Sequence, residues 1–269
     1  MLKQRILSAS VFVPLFLGIA WLGGRVFDLF LAIILGFAAY EYARMMKDAQ
    51  LPVSTVLMIG AVLVVVALRI FGSIALEFLA LPVILAVLGV YALWNYEKGE
   101  NKAFQSVVFQ FFGVVFIGVL GAFGITLHHT EPNGNLWVVV VIALVWLVDA
   151  GAYLIGTRFG KRLALPHLSP KKTWEGFLGG TLVGLLSGVA IGFVLNRAMP
   201  ELGPLRGGVL GLIMGPVAFF GDALMSLLKR TMGVKDTGKL LPGHGGILDR
   251  LDSMLWALVV GTYFVSLLG

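Results

Sequence analysis

Long stretches of apolar residues run through the whole chain and are separated by short polar segments. As a helix, each stretch is long enough to cross the roughly 30 Å hydrocarbon core of a bilayer. The nine stretches are Ile6–Gly24, Val26–Tyr42, Leu51–Leu68, Ile74–Tyr96, Ala103–Leu127, Asn135–Gly156, Thr173–Asn196, Gly207–Leu228 and Leu251–Leu268. The pattern therefore predicts an all-α, polytopic integral membrane protein with about nine transmembrane helices.

The composition agrees with this pattern and excludes several kinds of chemistry. Of the 269 residues, 59% are hydrophobic and 13% are charged, and the mean hydropathy is +0.96. A soluble domain of this length would not carry so much apolar surface. The chain has no cysteine, which excludes disulfides, thiolate nucleophiles and cysteine-ligated metals. Any bound metal must therefore use oxygen or imidazole ligands.

The basic residues fall mainly on one side of the predicted helices. If the nine spans alternate, the N-terminus and the loops after the even-numbered spans share one side and carry 16 of the 20 lysines and arginines. The others are Arg25, Arg69, Arg197 and Arg206. The positive-inside rule assigns the lysine- and arginine-rich side to the cytoplasm. The predicted location is a bacterial-type inner or plasma membrane, with the N-terminus inside and the C-terminus outside.

The two halves of this single membrane domain, 1–269, differ in their polar content. Residues 1–130 have few ionisable groups within the spans and are predicted to be scaffold helices, whereas 131–269 carry the polar motifs and are predicted to be catalytic. Glu41 and Glu77 lie close to predicted span ends, where an acid commonly reaches the membrane interface. Both are therefore interpreted as interfacial residues.

Glycines recur at every fourth position of the seventh span. They are Gly176, Gly180, Gly184, Gly188 and Gly192, which share one stripe of a helix. Small residues at this spacing let a second helix approach closely. The stripe therefore predicts helix packing rather than a binding site.

The densest polar stretch, 226–252, lies between the last two spans. Asp222 comes just before it, and Ser226, Lys229 and Arg230 follow at i+4, i+7 and i+8. A helix places these four side chains on one face. Polar groups at this density beside a bilayer are costly and usually mark chemistry.

Carboxylates near two predicted helix ends suggest a metal site. Asp249 falls in the opening turn of the last span, so two helix ends can bring it close to Asp222. Converging carboxylates favour a hard, oxygen-liganded ion such as Mg²⁺. The alternative is that the two acids form ion pairs with Lys229 and Arg250. Asp149, inside the sixth span, is a third candidate ligand, with a buried hydrogen bond to a neighbouring helix as an equal alternative.

Two further segments predict phosphate binding. Gly245 and Gly246 come just before the last span, where backbone N–H groups and the helix N-terminus can meet an anion. Ser169, followed by proline, is predicted to cap the seventh span. Lys171 and Lys172 would then lie in a first helical turn, where they oppose the helix dipole unless an anionic ligand compensates.

These motifs resemble the signature of the phosphatidate cytidylyltransferases, also called CDP-diacylglycerol synthases. The matching positions are Ser226, Leu228, Lys229, Arg230, Lys235, Asp236, Gly238, Pro242, His244, Gly245, Gly246, Asp249, Arg250 and Asp252. The upstream segments Asp149–Tyr153 and Ser169–Gly176 resemble the same family. The motifs extend from Asp149 to Asp252, and the first half of the chain agrees in hydropathy and length alone.

The resemblance implies that CTP and phosphatidic acid are converted to CDP-diacylglycerol and pyrophosphate with Mg²⁺, alone or with a second cation. It assigns catalytic roles to Asp222, Asp249, Lys229, Arg230, His244 and Arg250. It assigns substrate binding to Ser169, Lys171, Lys172, Ser226, Lys235, Gly245 and Gly246. It assigns metal binding to Asp222, Asp249 and Asp149. The expected partners are the two substrates and the bilayer, without nucleic acid, and a homodimer is compatible with the sequence.

Two other functions agree with parts of the pattern. An ion-coupled transporter of organic anions would also have acids within its spans, but its site should lie near the midplane, often between inverted repeats. Here the charges concentrate at one surface, and no repeat is visible. A related lipid cytidylyltransferase or a polyisoprenoid kinase is a closer alternative, because the motifs do not define the lipid tail.

Overall fold

The computed structural model describes residues 14–238 and 245–268, and helices dominate it. Residues 14–22 are helical. The helices that follow are α1 (Gly24–Asp48), α2 (Thr55–Phe71), α3 (Ile74–Glu97), α4 (Ala103–His128), α5 (Gly134–Phe159), α6 (Trp174–Leu195), α7 (Gly203–Thr231) and α8 (Leu248–Ser266). A short hairpin of β1 (Leu163–Leu165) and β2 (Ser169–Thr173) connects α5 to α6.

The helices agree with the hydropathy pattern, although fewer of them qualify as spans than predicted. Within the described residues, α1, α3, α4, α5, α6 and α7 are long and apolar enough to cross a membrane. Helix α2 is apolar but has 17 residues. The last predicted span, Leu251–Leu268, overlaps α8, and the first part of the predicted span Ile6–Gly24 lies outside the described residues. The chain is thus a multi-pass helical membrane protein, and the number nine stays a prediction.

The described residues form two compact units. The first contains the helices up to Thr126 together with Thr231–Leu251, and the second contains Leu127–Arg230 and the chain from Asp252 onward. The segment between α7 and α8 carries seven of the fourteen signature positions. It belongs to the same unit as the N-terminal helices.

In the first unit, serines begin two of the helices and a tyrosine joins two others. The hydroxyls of Ser54 and Ser73 accept hydrogen bonds from backbone N–H groups three residues later, at 3.3 Å each, as N-cap residues do. Tyr42 of α1 is fully buried and donates its hydroxyl to the carbonyl of Phe109 in α4 at 2.9 Å. This bond satisfies the polar end of a large core side chain.

Glu77 lies in the first turn of α3 and is fully buried. Its Oε2 is 2.6 Å from both Nε and Nη2 of Arg69, and Arg69 Nη1 donates to Thr126 Oγ1 at 2.6 Å. The interpretation of Glu77 as an interfacial acid is therefore wrong. Burial is possible because the arginine neutralises the carboxylate, and breaking such a pair would leave a buried charge uncompensated.

In the second unit, the glycine stripe of α6 forms close helix contacts on both sides. Gly180 packs against Val148 and Ala152 of α5. Toward α7 the stripe meets glycines: Gly184 faces Gly211, Gly188 faces Gly207 and Gly192 faces Gly203. Any Cβ at position 188 would collide with the carbonyl group of residue 207. The prediction that the stripe serves packing is confirmed.

The hairpin corrects the predicted start of α6. Ser169 lies in β2 and pairs with Leu165 of β1, so it does not cap a helix. Thr173 is the N-cap, and its Oγ1 accepts a hydrogen bond from the N–H of Gly176 at 3.1 Å. A Ser-Pro pair resembles a helix start, but the threonine four residues later makes the capping bond instead.

The two lysines of this segment therefore lie in a strand. Lys171 is exposed and Lys172 is half-buried, and neither opposes a helix dipole. Glu175, in the first turn of α6, binds the residues just before β1. Its Oε2 accepts from the backbone N–H groups of Lys161 and Arg162 at 3.0 and 3.1 Å. These bonds hold β2 in a defined position ahead of α6.

Candidate active site

A carboxylate and a lysine from separate motifs meet in the second unit. Lys172 Nζ lies 2.8 Å from Asp222 Oδ2 and 4.8 Å from the ring centre of Phe219. The Ser226 hydroxyl, one turn along α7, donates to Asp222 Oδ1 at 3.3 Å. The Asp222 side chain is 43% exposed and that of Lys172 is 19% exposed. The pair is thus fixed in geometry and still open to a solute.

Asp252 adds a second carboxylate to this cluster. It lies in the second turn of α8, is buried, and is within electrostatic range of Asp222, Lys229 and Asp149. Gly221, the neighbour of Asp222, packs directly against the backbone of Asp252. Because glycine has no side chain, α7 and α8 approach closely where both carry an acid. The cluster therefore concentrates negative charge that requires nearby cations.

Asp249 is held by the first unit. Its Oδ2 accepts three hydrogen bonds, from the N–H of Thr237 at 2.9 Å, from Thr237 Oγ1 at 3.0 Å and from the N–H of Gly246 at 3.1 Å. The Gly246 amide thus binds a carboxylate of the chain itself. The binding of phosphate by Gly245 and Gly246 stays a prediction. Since Asp222 belongs to the other unit, its pairing with Asp249 around a metal also stays a prediction.

Glu41 of α1 takes part in the same network. Glu41 is 2% exposed, and its Oε2 accepts from the N–H of Leu248 at 2.9 Å. The same oxygen lies 3.4 Å from Thr237 Oγ1, whose single proton is shared with Asp249. The interpretation of Glu41 as an interfacial acid is therefore wrong. It is buried because it binds the first residue of α8 and the segment ahead of that helix, 207 positions away along the chain.

The remaining predicted residues differ in exposure. Asp149, Arg230, Lys235 and Arg250 are exposed, and Lys229 and Ser169 are half-buried. His244 lies outside the described residues. Exposed lysines and arginines suit the binding of phosphates, and the roles of these residues stay predictions.

Sequence reasoning missed three polar residues of these clusters. Asp252 belongs to the family signature, and its spacing of three from Asp249 on α8 could have shown it as a further acid. Thr237 gave no signal, because a threonine in a polar loop is ordinary. Glu41 follows an apolar run within α1, and an ionisable residue inside a span is a functional candidate by default.

The described helices make this a polytopic membrane protein, and its second unit carries a lysine–carboxylate pair that is open to a solute. The model of the cytidylyltransferase family matches residues 3–268. The match covers nearly the whole chain, including the first half, where no motif was recognised. The chain therefore belongs to the cytidylyltransferase family.

Curated relatives give the same result over nearly the full length. The chain is 34% identical to a phosphatidate cytidylyltransferase of Pseudomonas aeruginosa, covering 97% of this chain and 95% of the relative. It is 32% identical to the enzyme of that name from Staphylococcus aureus, covering 96% of each. A Synechocystis phosphatidate cytidylyltransferase is 30% identical, covering 98% of this chain and 97% of the relative. The resemblance based on the motifs is thus confirmed.

Proposed function

We propose that this protein transfers the cytidylyl group of CTP to phosphatidic acid, forming CDP-diacylglycerol and pyrophosphate for phospholipid synthesis. The observation that carries the proposal is the Lys172–Asp222 pair, which joins the Ser169–Gly176 segment to α7, one turn ahead of the first signature position, Ser226. The chain matches its relatives over nearly their full length. A membrane protein is the appropriate setting, because one substrate is a lipid and the other is water-soluble.

The reaction needs no nucleophile from the protein. A phosphate oxygen of phosphatidic acid attacks the α-phosphorus of CTP and forms a new P–O bond. The bond from that phosphorus to the α,β-bridging oxygen breaks, and pyrophosphate leaves with the electron pair. Catalysis then depends on holding the two phosphates in line and stabilising the charge that develops on the leaving group.

The donor set of the second unit fits a divalent cation. Asp222 and Asp252 provide carboxylate oxygens, Asp149 lies within electrostatic range, and the chain has no competing thiolate. Such a set suits Mg²⁺. In the first unit, Asp249 would offer a further carboxylate, oriented by three hydrogen bonds to its Oδ2. Bound Mg²⁺ would supply positive charge to the triphosphate and to the leaving pyrophosphate.

The lysines position the substrates. Lys172 neutralises Asp222 and keeps its carboxylate oriented, with the Ser226 hydroxyl on the other oxygen. Lys172 can also donate to a phosphate that approaches the exposed side of Asp222, because an ammonium group has three N–H donors. The exposed Lys171 and Lys235 are suited to attract the charged substrates from a distance.

The reaction can be tested with purified protein in liposomes that contain phosphatidic acid. We expect pyrophosphate release that requires CTP, phosphatidic acid and Mg²⁺ together, and formation of CDP-diacylglycerol in equal amount. A transporter of organic anions would instead show flux without CTP. Absence of metal-dependent pyrophosphate release from the wild-type protein would contradict the proposed function.

The proposed orientation has the hairpin and the segment after α7 in the cytoplasm, where CTP is available. It is supported by the charge asymmetry of the loops. Because the chain has no cysteine, single cysteines can report on each side of the membrane.

We expect Lys161→Cys and Lys235→Cys variants to resist a membrane-impermeant thiol reagent in intact cells and to react after the cells are opened. Both positions are exposed, so protection would come from the membrane and not from burial. Arg197→Cys, exposed in the segment between α6 and α7, is the matched control and should react in intact cells. The reverse labelling pattern would contradict the orientation.

A further inference from the structure

The carboxylate of Glu41 lies in a cradle formed by the segment between α7 and α8. Three residues of that segment and the first residue of α8, here called together the loop anchors, surround it: Thr237, Gly238, Gly246 and Leu248. The N–H of Leu248 donates to Glu41 Oε2 at 2.9 Å, and both groups are buried. The first N–H groups of a helix have no partner within the helix. Glu41 therefore satisfies a buried donor that α8 cannot satisfy itself.

The loop anchors leave little room around this carboxylate. A Cβ at Gly246 would collide with Glu41 Oε2, and one at Gly238 would collide with Oε1. Leu248 is fully buried and Thr237 is 5% exposed. Two backbone segments thus pack directly on the two oxygens of a single acid from α1. Such close packing makes the position of the segment depend on Glu41.

The network extends from Glu41 to Asp249. Thr237 Oγ1 lies 3.4 Å from Glu41 Oε2 and 3.0 Å from Asp249 Oδ2, so one hydroxyl group connects the two acids. We propose that Glu41 is a positioning residue for the cytidylyl transfer. It holds the loop anchors and the start of α8 and thereby orients Asp249. The inference rests on the proposed function where activity is measured, and its structural part can be tested separately.

A purely stabilising role is the competing explanation, and a local probe separates the two. We would introduce Leu248→Cys into the cysteine-free chain as a reporter, because this position is fully buried and keeps its backbone N–H. The labelling rate of the reporter by N-ethylmaleimide in detergent then measures opening of the loop anchors. It does not require that the protein be active.

With the reporter present, we expect Glu41→Ala to accelerate labelling at least ~10-fold, because loss of the bonds favours local opening. Glu41→Gln should stay close to the parent rate, since its amide oxygen can still accept from the Leu248 N–H. Ser106→Ala is the control. It removes another buried polar group of the first unit, one whose described bond is to Ala103 of its own helix, and it should leave labelling unchanged.

In the chain without the reporter, we expect Glu41→Ala to lower kcat at least ~10-fold at saturating substrates and Mg²⁺, because displaced catalytic groups lose their alignment. Glu41→Gln should restore most of the rate, and Ser106→Ala should retain it. If Glu41→Ala does not fold, Thr237→Val replaces it in both measurements. That change deletes the shared hydroxyl group and keeps the N–H bond to Asp249, and it should shift both readouts in the same directions.

Three results would overturn the inference: unchanged labelling in Glu41→Ala, equal acceleration in Ser106→Ala, or faster labelling with an unchanged kcat. Inactive wild-type protein would instead contradict the proposed function, and the labelling comparison would still test whether Glu41 holds the loop anchors.

Discussion

Asp222→Asn is expected to lower kcat at least ~100-fold, a loss typical of removing a key electrostatic group from an active site. Asparagine keeps the shape of the side chain and an oxygen that can accept the Ser226 hydroxyl. The change therefore removes charge with little effect on packing. Because the Asp222 side chain is 43% exposed, we expect only a small effect on folding. The measurement is pyrophosphate release in liposomes at saturating CTP, phosphatidic acid and Mg²⁺.

Asp48→Asn is the matched control for this prediction. Asp48 is an exposed acid at the end of α1, and the same chemical change there should leave the rate within ~2-fold, since exposed charges contribute little. Near-normal turnover of Asp222→Asn would contradict the assignment of Asp222. Asp249→Asn is a less direct test, because it also weakens a carboxylate that accepts bonds from Thr237 and Gly246.

Helix positions were predictable because the bilayer imposes a length and a composition that can be recognised within one segment. The predicted span Ala103–Leu127 corresponds to the helix Ala103–His128. The predicted span Asn135–Gly156 corresponds to the helix Gly134–Phe159. The hairpin was missed because β2, SPKKT, has neither strand periodicity nor apolar character. The Ser-Pro pair resembles a helix start, and the choice of Thr173 as the cap depends on pairing with β1.

Contacts within the site were predictable where the two residues lie one helical turn apart in the sequence. Asp222 and Ser226 are four residues apart on α7, and their hydrogen bond agrees with that spacing. The pairing of Asp222 with Lys172 depends on tertiary packing, and so do the hydrogen bonds of Glu41. No local sequence signal predicts either set of contacts. The interpretation of Glu41 and Glu77 as interfacial acids failed because position in a span does not reveal a buried partner.

Lys171 and Lys172 were treated alike in the sequence, and the structure predicts different effects for them. Lys172→Gln is expected to lower kcat/KM ~100-fold, because it removes a half-buried charge that contacts Asp222 and lies beside the proposed phosphate site. Lys171 is exposed, and Lys171→Gln should cost less than ~5-fold, as expected for a solvated charge. Each variant is the control for the other, since the chemical change and the strand are the same.

A double-mutant cycle tests whether Lys172 acts through its pair with Asp222. The cycle compares kcat/KM of all four proteins. If the two side chains work as a unit, the Lys172→Gln, Asp222→Asn double variant should have about the same kcat/KM as Asp222→Asn alone, because the effects of coupled residues are not additive. The rate losses would multiply if the two groups acted independently. Equal losses in Lys171→Gln and Lys172→Gln would contradict the specific role of Lys172 and would favour general attraction of anionic substrates by a basic surface.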